Sequence, residues 1–237
     1  MFVVSQLPKS ISAEAYRSLR TNIKYASIDK KIKTIVITSS IPGEGKSTVS
    51  GNLAITLSEA GSKVLLIDCD LRNPSLHRKF RVSNTFGLTD LLIEKNVVKE
   101  CVKEITKNLG LITSGSLPPN PAEVIGSNAF EKFIKLMSET YDYIILDTPP
   151  LIPVTDGQIL SAKADGTILV ARSRKTKAKT LKQGYEKLKE VNSNVIGTVL
   201  NDSDYIRNHK YNYYYGTEGN FGFIKRLIKN KNIKRKR

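Results

Sequence analysis

Thr34-Ile35-Val36-Ile37-Thr38 runs straight into Ser39-Ser40-Ile41-Pro42-Gly43-Glu44-Gly45-Lys46-Ser47-Thr48, and an apolar-striped helical pattern follows to about residue 60. A strand, a glycine-bearing turn and a helix in that order form the context that a phosphate-binding loop requires. Gly43 and Gly45 let the backbone turn its N–H groups inward toward a polyphosphate. The helix that opens near Lys46 adds its positive dipole end and its free N–H groups. Lys46 has the reach for the β- and γ-phosphates, and the Ser47 hydroxyl suits a Mg²⁺ ion. The expected ATP-contacting set is Gly43, Glu44, Gly45, Lys46, Ser47 and Thr48. The run departs from G-x-x-x-x-G-K-[ST] at one place, where Ser40 stands for the first glycine.

Further strands are expected over 63–68, 109–113, 143–147, 166–171 and 195–200. Helices are expected over about 12–28, 46–60, 86–95, 128–139, 156–163 and 176–190. Continuous apolar runs such as Val64-Leu65-Leu66-Ile67 and Tyr143-Ile144-Ile145-Leu146 are what strands covered on both faces look like. The alternation predicts an α/β fold with a mostly parallel central sheet flanked by helices on both faces, of the phosphate-loop NTPase class. The proline-bearing stretch Gly115–Ala122 reads as a rigid extended loop.

Two of these strands end in acids. Ile67 is followed by Asp68-Cys69-Asp70-Leu71-Arg72, and Leu146 by Asp147-Thr148-Pro149-Pro150. Ligands of open parallel sheets bind at the carboxyl ends of strands, so Asp68, Asp70 and Asp147 are expected near the phosphates, where a metal ion needs carboxylate help. Ser47, Asp68 and Asp147 are the candidate metal ligands, and Lys46, Asp68, Asp70 and Asp147 the candidate catalytic groups. Spacing does not divide the roles of base and metal ligand among the three acids. Asn201, just past the last strand, is a candidate adenine contact by analogy with related phosphate-loop ATPases.

Composition bounds the rest. The 237 residues suffice for one α/β domain, and with 40% hydrophobic and 25% charged residues the chain reads as ordinary and globular. No apolar run approaches the ~20 residues of a membrane span, and no secretory leader is evident at the N-terminus. Cys69 and Cys101 lack metal-ligand spacing and read as reduced, partly buried thiols of a cytoplasmic protein. The net charge of +16 is unevenly placed, because residues 221–237 hold eight Lys or Arg and no acid. That tail interleaves Phe221, Phe223, Ile224, Leu227 and Ile228 with cations, a pattern suited to an anionic membrane surface. With no base-stacking platform or helix-turn-helix in view, no nucleic-acid partner is expected.

The ordered set of motifs resembles the bacterial tyrosine kinases of the capsule and exopolysaccharide type. Ser39–Thr48 stands as Walker A, Leu65–Arg72 as Walker A′ and Ile144–Pro150 as Walker B. Glu14-Ala15-Tyr16-Arg17-Ser18-Leu19-Arg20 matches the family's E-x-x-R-x-x-R element. Pro119-Asn120-Pro121-Ala122-Glu123 matches a family loop, and Tyr211-Asn212-Tyr213-Tyr214-Tyr215 its tyrosine cluster. The likeness runs from about Ser12 to Tyr215. It implies an ATP- and Mg²⁺-dependent protein-tyrosine kinase. It further implies that Tyr211, Tyr213, Tyr214 and Tyr215 are autophosphorylated between subunits of a ring-forming homo-oligomer.

Within that oligomer, Glu14, Arg17 and Arg20 would lie at the subunit contact, along one side of a helix. The resemblance also implies a transmembrane adaptor of the polysaccharide chain-length-regulator type. Without a spanning segment here, that adaptor would be a separate polypeptide recruiting the chain to the inner face of the membrane. Residues 1–204 would form the kinase domain and 205–237 a flexible tyrosine-bearing, basic tail. The alternative is an ATPase of the MinD/ParA kind, controlling assembly on membrane or DNA. Those proteins carry a signature lysine five positions before the phosphate-loop lysine, and here that position is Ile41.

Overall fold

The computed structural model describes residues 2–26, 31–93 and 98–203. In chain order the first half gives α1 (Val3–Gln6), α2 (Ile11–Ala26), β1 (Thr34–Ser39), α3 (Lys46–Glu59), β2 (Val64–Asp68), α4 (Leu76–Phe80), α5 (Leu88–Ile93) and α6 (Val98–Cys101). The second half gives β3 (Val102–Thr106), β4 (Leu109–Ile112), α7 (Pro121–Gly126), α8 (Asn128–Thr140), β5 (Tyr143–Asp147), α9 (Asp156–Lys163), β6 (Gly166–Arg172), α10 (Ala178–Glu190) and β7 (Val195–Asn201). The strands form one seven-stranded sheet in the order β3-β4-β2-β5-β1-β6-β7. All its pairs are parallel except β3 with β4.

The apolar runs explain the layering, because successive strand residues point to opposite faces. Ile35, Ile37, Val64 and Leu66 pack on one face with Ala13 and Ile23 of α2 and Val49, Leu53 and Leu57 of α3. Val36, Leu65 and Ile67 pack on the other with Leu88 of α5, Phe130 and Phe133 of α8, and Leu160 of α9. Both faces are thus covered, as the uninterrupted hydrophobicity of the strands required. The first turn of chain also belongs to this core. Phe2 stacks against Phe80 with centroids 4.5 Å apart, and Val4 N–H donates to Asn52 Oδ1 at 3.1 Å.

The expected strands all form, with ends within a residue or so, and two kinds of element go beyond the sequence reading. Strand β3 was not expected. Its residues Val102-Lys103-Glu104-Ile105-Thr106 break strict alternation, and its pairing with β4 shifts register between Glu104 and Thr106. The short helices α1, α4, α6 and α7 span only four to six residues, too few for periodicity to show. One of them corrects the extended loop expected over 115–122: α7 starts at Pro121, with proline in its first turn, where its fixed φ and missing N–H are tolerated. Cys69 and Cys101, expected to be partly buried, are both fully buried, and they are unpaired. No helix among the described residues is long and apolar enough to cross a membrane. Tyr205, Tyr211, Tyr213, Tyr214, Tyr215 and the basic segment 221–237 lie outside the described residues.

Candidate functional site

The site sits at the carboxyl edge of β1, β5 and β2, which are adjacent strands. Gly43 and Gly45 adopt φ of 75° and 98°, the left-handed region that a side chain disfavours. Gly45 then caps α3, whose first residue, Lys46, has little solvent exposure. The first N–H groups of α3 have no intrahelical acceptor and lie beside the loop. Ser40, the residue in place of the first loop glycine, is fully buried under α10. Room for it comes from Gly184, where an added Cβ would come within 3.0 Å of Ser40 Cβ and 3.2 Å of its Cα. The missing glycine of the loop has in effect been exchanged for a glycine on the helix above it.

Asp68 and Asp147 end neighbouring strands as direct register partners. Both are fully buried. Ser50, one turn into α3 from Lys46, donates its hydroxyl to Asp147 Oδ1 at 2.9 Å. The other oxygen, Asp147 Oδ2, is buried with no hydrogen-bond partner. Asp68 is held differently. Its Oδ2 accepts the N–H groups of Ser75 at 3.0 Å and Leu76 at 2.9 Å, and its Oδ1 that of Asp70 at 3.3 Å. The half-buried Asp70 accepts Asn73 N–H at 3.0 Å.

Burial, then the Asp147 charge, push the Asp68 carboxyl above the usual carboxylate range. Burial raises Asp147 too, while the Ser47 hydroxyl, the Lys46 ammonium and the Ser50 hydroxyl pull it back. Burial likewise raises Asp70, with Asn73 N–H and Lys46 opposing. Two close carboxylates in a dry site cannot both ionise cheaply. Such an arrangement favours a cation between or beside them.

The loop after β2 is tied to the segment after β5 by a further ion pair. Arg72 Nε and Nη2 donate to the two oxygens of Asp156 at 2.6 and 3.2 Å. Asp156 is 1% exposed and opens α9. In the sequence Arg72 was visible only as part of the acidic run and Asp156 drew no reading of its own; their partnership had no signal in spacing. Ser50 likewise escaped notice, although its place one helical turn after Lys46 was a legible clue.

Asn201, at the end of β7, lies against the loop and donates from Nδ2 to Glu44 O at 3.0 Å. The Glu44 side chain is turned inward, fully buried, with Ile41 N–H donating to Oε2 at 2.9 Å. Thr48 accepts Lys79 Nζ at 3.1 Å. Far from this edge, Glu14 and Arg17 pair within α2 at 2.9 Å. Arg17 also donates to Pro8 O at 2.7 Å, and Arg20 reaches Thr56 O of α3 at 3.2 Å. Within one chain, then, this stripe makes local contacts and is not simply a solvated helix face.

A family model described as an AAA domain matches residues 32–201. The chain is 43% identical over 215 residues to the tyrosine-protein kinase YwqD of Bacillus subtilis, covering 90% of each chain. It is 37% identical over 216 residues to a putative tyrosine-protein kinase CapB of Staphylococcus aureus, covering 91% of this chain and 95% of that one. The chain belongs to the bacterial tyrosine-protein kinases. The kinase domain of the Escherichia coli tyrosine kinase ETK superposes on this kinase with a TM-score of 0.81 at 32% identity, covering 85% and 79% of the two chains. The septum site-determining protein MinD of Pyrococcus horikoshii, complexed with Mg-ADP, is more distant: a TM-score of 0.59 at 25% identity, with 71% and 69% covered. The kinase therefore shares its phosphate-loop fold with those ATPases but its family with the tyrosine kinases.

Proposed function

We propose that this kinase transfers the γ-phosphoryl group of Mg²⁺-bound ATP to tyrosine hydroxyls, its own Tyr211, Tyr213, Tyr214 and Tyr215 among them. Through these phosphorylations it regulates capsular or exopolysaccharide synthesis and export. The observation that carries the metal-dependent reading is the buried, partnerless Asp147 Oδ2 beside Lys46 and Ser47. A buried carboxylate oxygen without a donor is costly unless a cation or an ordered water meets it. No cluster of three or more acidic, His or Cys ligands occurs among the described residues. That suits Mg²⁺, which uses one or two carboxylates and completes its shell with water and substrate phosphate. Ser47 and Asp147, with Asp68 in register beside them, would hold the ion, which would supply positive charge to offset that of the phosphates.

The chain's own groups then have distinct tasks. The N–H groups from Gly43 to Ser47 cradle the polyphosphate, and Lys46 neutralises charge on the transferred group. Asn201 has its Nδ2 committed to a carbonyl, which leaves Oδ1 as an acceptor for the amino group of adenine. Asp70, the most accessible of the three acids and raised by burial, takes the tyrosine proton as the phenolic oxygen attacks the γ-phosphorus. The bond from that phosphorus to the bridging oxygen breaks, and ADP leaves. Asp68, with three backbone donors on its carboxylate, fixes the turn that carries Asp70.

The same reading includes a ring-forming homo-oligomer with Glu14, Arg17 and Arg20 at its contacts, and a separate transmembrane adaptor. The basic segment 221–237 adds affinity for anionic lipid, so the kinase works at the inner face of the membrane. Incubating the full chain with Mg²⁺, γ-labelled ATP and the adaptor's cytoplasmic segment tests the core of it. Label on tyrosine, lost in Lys46→Met and in the combined Tyr211, Tyr213, Tyr214 and Tyr215→Phe variant, is expected. ATP hydrolysis with no labelled protein would refute the reading in favour of a partition-type ATPase. Native mass of Glu14→Ala/Arg17→Ala/Arg20→Ala and liposome flotation with and without residues 221–237 test the assembly and membrane parts.

A further inference from the structure

A peptide unit is planar and trans, so fixing its carbonyl outward turns its N–H to the opposite side. In the phosphate-binding loop the carbonyls are held one after another. Ser39 O and Ser40 O accept the N–H groups of Leu151 and Ile152 at 2.8 and 3.1 Å. Ile41 O accepts Ser39 Oγ at 2.9 Å, Pro42 O accepts Lys175 Nζ at 2.8 Å, and Gly43 O accepts Arg172 Nη1 at 3.3 Å. Glu44 O accepts Asn201 Nδ2, and Gly45 O accepts the N–H groups of Thr48 and Val49 at 3.0 and 2.9 Å. The loop is thus gripped along its whole outer side.

Three of the groups that hold the loop come from the end of β6 and the turn after it: Arg172, Lys175 and Thr176. Arg172 is itself aimed: its Nε and Nη2 donate to Asp202 Oδ2 at 3.1 and 2.9 Å, leaving Nη1 for the loop. Thr176 is the keystone. Its hydroxyl donates to Glu44 Oε1 and accepts Arg172 N–H at 2.8 Å. The fully buried Glu44 carboxylate in turn holds Ile41 N–H at 2.9 Å. The positive φ of Gly43 and Gly45 already calls for glycine at both places, and the grip closes in on them as well. A Cβ at Gly43 would collide with Lys175 Nζ, and one at Gly45 with the Asn201 amide.

We propose that Arg172, Lys175 and Thr176 are positioning residues for the phosphates of ATP. Lys175 and Arg172 act by turning the carbonyls of Pro42 and Gly43 outward and the N–H groups that follow them inward, and Thr176 by holding the Glu44 carboxylate that anchors Ile41 N–H, none of them by lending charge to the nucleotide. A ready-turned loop does not have to reorganise when polyphosphate arrives. The inference rests on the reading of Ser39–Thr48 as the ATP-phosphate site.

Fluorescent ADP titrated into the full-length protein tests it, with thermal melting measured on every variant. Thr176→Val keeps the shape of the side chain and removes no charge. It is expected to weaken binding about 3- to 10-fold, the net worth of one typical hydrogen bond, since only part of the loss reaches the nucleotide, while Thr176→Ser restores it. Arg172→Lys keeps the charge but cannot span Asp202 and Gly43 O together, so it is expected to bind as weakly as Arg172→Met. Wild-type affinity in Thr176→Val, or in Arg172→Lys when Arg172→Met is impaired, would overturn the proposal. A folded wild-type protein that fails to bind ADP at all would instead remove the phosphate-site reading beneath it.

Discussion

Gly184→Ala probes whether the exchange of glycines between loop and helix is real. Gly184 lies inside α10, where alanine ordinarily adds about 1 kcal/mol of stability over glycine. Here the new methyl would stand 3.0 Å from Ser40 Cβ and 3.2 Å from Ser40 Cα, nearer still to the hydroxyl. Ser40 cannot yield, because it is fully buried and its carbonyl holds Ile152 N–H. Overpacking of this kind costs about 1–3 kcal/mol. After the helical gain, a net loss of up to about 2 kcal/mol remains, or about 2–4 °C in Tm per kcal/mol for a chain of this length.

Urea unfolding followed by circular dichroism reads the loss, and the KM for ATP should rise because Ser40 leads into the phosphate loop. Ser40→Gly removes both the hydroxyl and the Cβ and leaves only the 3.2 Å approach to Cα. The double variant should therefore recover most of the stability, with a coupling of about 1 kcal/mol or more in the double-mutant cycle. Stability equal to or above wild type in Gly184→Ala, or strictly additive effects in the double variant, would refute the steric argument.

Three further outcomes are expected. Arg72→Ala strands the buried Asp156 and should lower stability by about 1–3 kcal/mol, less than a fully buried pair because Arg72 is 42% exposed; adding Asp156→Asn should return part of the loss, read by urea midpoints. Asp68 and Asp147 are raised in the folded state, so the native state holds protons that the unfolded chain releases. Stability without metal is then fullest below the unfolded carboxylate range and falls as pH rises toward neutrality; scanning calorimetry in chelator should show that fall, flattened in Asp147→Asn. Cys69 and Cys101 are buried, and burial raises both thiols; a thiol reagent should label neither quickly in the native protein and both in urea.

Much of this was legible because the decisive features are local. Ser39–Thr48 follows a strand and opens a helix, so its place at the carboxyl edge of the sheet could be read from order alone. The same holds for the acids that end β2 and β5, since an apolar run fixes where a strand stops. What was not legible depended on contacts across many residues. Nothing in the spacing of Arg72 and Asp156, 84 positions apart, links them, and Glu44 was counted as an ATP contact with no sign that Thr176 holds its carboxylate. Strand β3 was missed because a register shift erases the period-two signal that betrays a strand.

The sequence by itself determined the parallel sheet, its double covering of helices and the phosphate loop, because apolar periodicity and glycine placement act within a few residues. It also determined the family, through the order of its motifs. The tertiary structure alone decided that Ser40 is accommodated by Gly184, that Asp147 keeps one buried oxygen without a partner while Asp68 does not, and that the loop's carbonyls are gripped by Arg172, Lys175 and Asn201. These are properties of packing, set when the strand order brings β5 and β6 to the two sides of β1. No short-range pattern in the chain can encode which distant side chain will arrive there.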